Sequence, residues 1–292
     1  MVHHLPEKLS VIYGAAVISA YAITNFIISF VLKVKIFFLP QISSLTLYIK
    51  SISLGMISVV YYFLGFGILL IAQHLYNDSV TAIAYMGLKF YVIYKGVLRV
   101  IHQAFVRDML SEEVCFKIDQ LSSLAGLFFI SSILIFPSSF IGFFFGRQFE
   151  DQKIFFSILA FAGFIYSLFL STTTKSLLEK KDKTYFRVMI LSVCSALVLL
   201  LILSSIRKEI EGIAISLLLG EIAFTLGLIK LSLSPSQVVK RIIFLLKNFI
   251  FVLIPLSARF LLNDSMFVFI ISYFLFASLL FFSHYKKFKS IT

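Results

Sequence analysis

Four ionisable side chains raise the first question. Lys89, Lys95, Arg99 and His102 all fall within Val80 to Leu110, VTAIAYMGLKFYVIYKGVLRVIHQAFVRDML, a stretch long and apolar enough to cross a bilayer. Charge inside a hydrocarbon layer is expensive and requires a partner or water. At about 100° per residue, Lys95, Arg99 and His102 share an arc of roughly 60° on a helix, with Lys89 on an adjacent flank. Such a stripe is a graded positive wall, and its chemistry is anion binding. Lysine offers a point charge, and arginine offers a planar fork matched to phosphate or pyrophosphate. Lys89 lies roughly 15 Å from one end of its span at 1.5 Å per residue, so it should face protein or a water-filled cavity. Arg99 and His102 lie near the other end, where snorkelling to headgroups is the competing account.

Glu221, in LLLGEIAFTLG, is the second candidate. It stands near mid-span with no charged neighbour in sequence, so it is expected to be protonated or paired with a cation. Its functional reading is a coupling-ion or proton site. Its structural reading is a hydrogen bond between helices. No enzyme constellation accompanies these residues: GxSxG, P-loop and HExxH patterns are absent, as are paired intramembrane carboxylates. The expectation is a non-enzyme without a cofactor. Cys115 and Cys194 lie far apart in sequence, and His3–His4 is too short a run to argue for a metal, so none is expected.

The positioning elements follow from composition. The chain has 292 residues, of which 60% are hydrophobic and 14% charged, with 35 Phe and a mean hydropathy of +1.02. That excess of apolar surface, arranged in continuous runs of spanning length, implies an all-α, polytopic membrane helix bundle. A β-barrel would alternate instead. The net charge of +12 reads as the positive-inside bias of loops, not as nucleic-acid binding.

About nine spans are expected by apolar length. They cover roughly Ser10–Leu32, Ser53–Gln73, Ser79–Gln103, Asp119–Ser139, Ile154–Thr174, Tyr185–Ser205, Glu211–Lys230, Ile242–Leu262 and Ser265–Ser283. Pro137 and Pro255 fall inside two of them and are expected to kink their helices, as hinges for an alternating-access motion. Lys35–Ser51 reads as an amphipathic interfacial segment. The basic connections include Lys180, Lys181, Lys183 and Arg187, and the tail carries Lys286, Lys287 and Lys289, whereas Gln73–Asp78 has no Lys or Arg. The positive-inside rule then places the C-terminus in the cytoplasm and the N-terminus outside. An outside start without a signal segment reads as the later part of a longer protein.

Three stretches carry a family resemblance. Val80-Thr81-Ala82-Ile83-Ala84-Tyr85 precedes the lysine-bearing span. Phe144-Phe145-Gly146-Arg147-Gln148-Phe149 follows the span holding Pro137. Glu211-Gly212-Ile213-Ala214-Ile215 leads to Gly220-Glu221. In this order the chain resembles a Wzx-type polysaccharide flippase of the multidrug/oligosaccharidyl-lipid/polysaccharide exporter superfamily. The tight Gly-Ala-Ala pattern of that family is degraded here. The resemblance implies a two-lobed fold, with 1–52 as a helix plus interlobe linker, 53–230 as a six-helix C-terminal lobe, and 231–292 as two extra helices and a basic tail. It implies a bacterial inner-membrane protein that flips an undecaprenyl-pyrophosphate-linked oligosaccharide for O-antigen or capsular polysaccharide synthesis. The implied partners are that lipid-linked substrate, membrane lipids, other polysaccharide-assembly proteins and a missing N-terminal lobe. The competing readings are a membrane-embedded polymerase or glycosyltransferase, and a cation-coupled multidrug exporter.

Overall fold

The computed structural model describes residues 56, 59–60, 62–105, 109, 111–206 and 209–289, all within one compact unit, Ser53–Thr292. The expected span Ser10–Leu32 and the amphipathic segment Lys35–Ser51 lie outside the described residues. Every regular element described is helical. A π-helical turn, Phe63–Gly67, runs into α1 (Ile68–Leu75). Next come α2 (Asp78–Ala104), α3 (Glu112–Ile135) and the short α4 (Pro137–Phe144). A 3-10 turn, Arg147–Gln152, leads into α5 (Lys153–Leu168), and α6 (Leu170–Leu178) follows. The chain continues through α7 (Asp182–Ile206), α8 (Glu211–Ser232), α9 (Pro235–Phe249), α10 (Leu253–Leu262) and α11 (Met266–Lys289).

Among the described residues, six helical stretches are long and apolar enough to cross a membrane: Glu112–Ile135, Arg147–Leu168, Asp182–Ile206, Glu211–Ser232, Pro235–Leu262 and Met266–His284. The lysine-bearing α2 has ample length at 27 residues, but its lysines and tyrosines lower its hydropathy. Local chemistry sets several boundaries. The Asn77 side chain accepts the Val80 N–H at 2.9 Å and starts α2. Ser234 and Gln237 form a reciprocal capping box at α9, with Pro235 in the first turn, where its missing N–H costs nothing. Gly146 turns the chain at φ +97°, a conformation that side chains with a Cβ rarely adopt.

Pro137 does not kink a continuous span. The helix ends at Phe136 (φ −123°, ψ 59°), and Pro137 opens α4 as a first-turn residue. The cause is the missing N–H together with the clash a proline makes with the turn before it. Pro255 does act on its helix: Ile250–Val252 tightens to a 3-10 turn between α9 and α10, directly upstream of it. Arg259 donates to the Ile135 carbonyl at the end of α3.

Small residues let the central helices approach. α8 packs on α7, α5, α6 and α1, and α5 packs on α3 and α2. Gly212, Ser216 and Gly220 recur every fourth residue along one buried stripe of α8. A Cβ on Gly220 would lie 2.6 Å from Leu64 Cδ1, and one on Gly126 of α3 would lie 1.9 Å from Ser167 Oγ. Lipid chains are as apolar as leucine, so this close packing, not water exclusion, drives association within the bilayer. The last helices share a core with α3, through Leu124, Phe136, Phe244 and Phe276.

Contacts also sort the helix ends. Lys175 meets Glu112 at 3.3 Å, Ser176 meets Ser232 at 2.5 Å, and Lys181 donates to Leu231 O at 3.1 Å, which gathers one lysine-rich end. At the opposite end Ser139 donates to Asp264 at 2.6 Å.

Candidate functional site

The interior of this apolar bundle holds two ionic centres. The first is built on a helix break. α5 and α6 would form one continuous helix, but Phe169 (φ −134°, ψ 41°) interrupts it. In an unbroken helix the Ser171 N–H would bond the Ser167 carbonyl, four residues back. Here α3 satisfies both groups from outside. Asp119 Oδ1 accepts the Ser171 N–H at 2.7 Å, and Ser122 Oγ donates to Ser167 O at 2.7 Å. Asp119 and Ser122 lie three residues apart, hence on one face of α3. Ser171 Oγ donates to Asp119 Oδ2 at 2.8 Å, and Arg241 Nε of α9 donates to the same oxygen at 2.7 Å. Asp119 and Arg241 are both buried. Arg241 Nη1 also donates to Gln237 O at 3.1 Å, and the guanidinium lies 5.4 Å from the Phe116 ring centroid.

The second centre joins α2 to α8 across the bundle. Glu221, 0% exposed, accepts Lys95 Nζ at 2.6 Å and Tyr91 Oη at 2.5 Å, both on Oε1. Tyr91 and Lys95 are one helical turn apart, so both reach the same oxygen. The Lys95 ammonium also lies 4.2 Å from the Tyr166 ring centroid and 5.0 Å from that of Tyr91. Two aromatic faces and a carboxylate thus replace its water. Glu221 Oε2 is buried without a hydrogen-bond partner among the described residues.

Beside this centre is a cavity of about 270 Å³. Tyr91, Lys95 and Arg99 line it from α2, and Tyr62, Gly65 and Phe66 line it from the π-helical turn and the residue before it. A π-turn inserts one extra residue per turn and is frequent at functional sites. Here it sets an aromatic wall against a cationic one. Lys95 and Arg99 place two cations on this wall, which suits an anion in the cavity.

The sequence-derived stripe therefore divides. Lys95 is buried and paired, while Arg99 is exposed and lines the cavity. Lys89 is exposed on α2 and is not among the residues that line the cavity. His102 is buried, and its Nε2 has no hydrogen-bond partner among the described residues. Glu221, expected from sequence to be protonated or paired with a cation, pairs with Lys95. Ser171, Thr172 and Thr173 bond Asp119 or the carbonyls three residues back. Asp119 and Arg241 did not stand out in sequence, because each lies near a span end where a charge needs no explanation. A carboxylate seven residues into the 24-residue α3 was the available signal.

No family model, no curated protein and no solved structure matches this chain.

Proposed function

We propose that the chain translocates an anionic lipid-linked substrate across a membrane. On the family resemblance, that substrate is an undecaprenyl-pyrophosphate-linked oligosaccharide, flipped from the cytoplasmic to the periplasmic leaflet of the bacterial inner membrane. The observation that carries this reading is the cavity with Lys95 and Arg99 on its wall and Glu221 behind it. A pyrophosphate would engage Arg99 through its fork and compete with Glu221 for Lys95. Protonation of Glu221 would release Lys95 to the substrate, which couples headgroup binding to an ion. Two lobes, nine spans and the hinge role of Pro137 and Pro255 belong to this proposal. So do the expected partners: membrane lipids, a further N-terminal lobe and other polysaccharide-assembly proteins.

Arg99→Ala should abolish surface polysaccharide in a flippase-deficient strain that co-expresses the chain with a compatible N-terminal lobe. Arg99→Lys should keep part of the activity, because charge survives and the fork does not. Lys89→Ala, which removes a cation that does not line this cavity, should complement like the parent. Membrane protein is quantified alongside. Complementation by Arg99→Ala at parental level would remove the headgroup role.

Orientation is testable separately. The lysine-rich end should be cytoplasmic by the positive-inside bias. A single cysteine in Lys180–Lys183 should resist an impermeant thiol reagent in intact cells, and one in Gln73–Asp78 should react. The reverse labelling pattern would invert the topology.

A further inference from the structure

The Asp119–Arg241 centre borders a second cavity, of about 300 Å³, which the transport reading does not use. Arg241 and Val238 of α9, Gln120 and Ser123 of α3, Phe169 at the helix break and Ile229 of α8 line it. Arg241 is 6% exposed and Gln120 7% exposed. The guanidinium has more donors than its neighbours use. Nε and Nη1 are taken by Asp119 and Gln237, and Nη2 is buried with no partner among the described residues. A guanidinium cannot shed its proton to escape that cost. Asp119 does not take the spare donor here: its Oδ1 accepts the Ser171 N–H, and its Oδ2 accepts Ser171 Oγ and Arg241 Nε. A lone water fits poorly, since it needs two to four polar partners and most of the wall is apolar.

The cavity lies at a lateral face. Leu226 and Ile242, also on its wall, are 60% and 45% exposed, so they front the lipid and not the protein interior. Arg241 sits six residues along α9 from Pro235, roughly 9 Å below the helix start at 1.5 Å per residue. Lys230 and Lys240 are exposed on the two helices at the same end.

We infer that this crevice binds one anionic glycerophospholipid from the leaflet at the lysine-rich end. A phosphate oxygen accepts from Arg241 Nη2 in a charge-assisted hydrogen bond, the Gln120 amide lies beside it, and an acyl chain covers the apolar wall between α8 and α9. Lys230 and Lys240 raise the local concentration of anionic lipid. The occupant would brace the α5–α6 break, because the cation it contacts is the one that holds Asp119.

The test is lipid retention by the full chain, purified and exchanged into detergent with phosphatidylglycerol or phosphatidylcholine, and read by native mass spectrometry. The parent should retain one phosphatidylglycerol in preference to phosphatidylcholine. Ile229→Trp fills the cavity without touching the ion pair and should lower that retention about tenfold or more. Arg241→Lys keeps a cation for Asp119 but removes the spare donor, and should also lower it. Val238→Phe repeats the filling on the other wall should Ile229→Trp fail to fold. Parental retention in the folded filling variant, equal retention of both lipids, or displacement of the lipid by millimolar inorganic phosphate would each overturn the assignment. None of these outcomes depends on whether the chain transports an oligosaccharide.

Discussion

Asp119→Ala should destabilise the bundle by about 3–5 kcal/mol, the cost of leaving one member of a buried ion pair uncompensated. The substitution strands Arg241 Nε and the Ser171 N–H and hydroxyl together. The Ser171 amide matters most, since the break at Phe169 leaves it no helical acceptor and hydrocarbon offers none. Asp119→Asn should cost less, because the amide oxygen still accepts from Ser171. Replacing both charges while keeping the acceptor, as Asp119→Asn with Arg241→Met, should recover much of the loss, since removing a whole buried pair is often close to neutral and the amide oxygen still accepts from Ser171. Reversible unfolding in mixed detergent micelles measures all three variants. A double variant as unstable as Asp119→Ala alone would show that the pair is not the unit that matters.

Glu221→Ala should have the second large effect, again about 3–5 kcal/mol, because Lys95 and Tyr91 converge on a single carboxylate oxygen. Glu221→Gln should fold better, as its carbonyl still accepts from both donors. The two changes separate structure from transport. If Glu221 couples an ion to movement, Glu221→Gln should eliminate the dependence of transport on a pH gradient while leaving normal amounts of folded protein. If the residue only joins α2 to α8, Glu221→Gln should keep that dependence and lose folded protein in proportion to its stability. Lys95→Met should be milder than Glu221→Ala, because a carboxylate left alone can take a proton and become neutral.

Several features were legible in the chain without coordinates. Continuous apolar runs implied a helical membrane bundle, and Lys95 and Glu221 were each marked by position, because an ionisable group at depth always needs an explanation. Their pairing was not legible. They are 126 residues apart, and no local pattern connects a lysine on α2 with a glutamate on α8. Lys89 shows a further limit: its depth along α2 says that it needs a partner or water, but depth alone does not say on which side of the helix that partner stands. Pro137 was legible as a disturbance but not as a boundary, since a proline suits the first turn of a helix as well as a kink.

What the sequence determined by itself is chemical type and periodicity: a membrane bundle of helices, an excess of cations in some connections, and the small set of buried groups that must be satisfied. The four-residue spacing of Gly212, Ser216 and Gly220 is written in the chain, but only the packing reveals it as a buried stripe on α8. Only the tertiary structure decided how each buried group is satisfied. It broke the helix at Phe169 and supplied Asp119 and Ser122 from α3 to the freed backbone pair. It also placed the π-turn of Phe63–Gly67 beside Lys95 and Arg99, making a cavity from a stripe. The physical reason is that helix formation is governed by neighbours three and four residues away, whereas partners for charge in a bilayer come from whichever helix packs alongside.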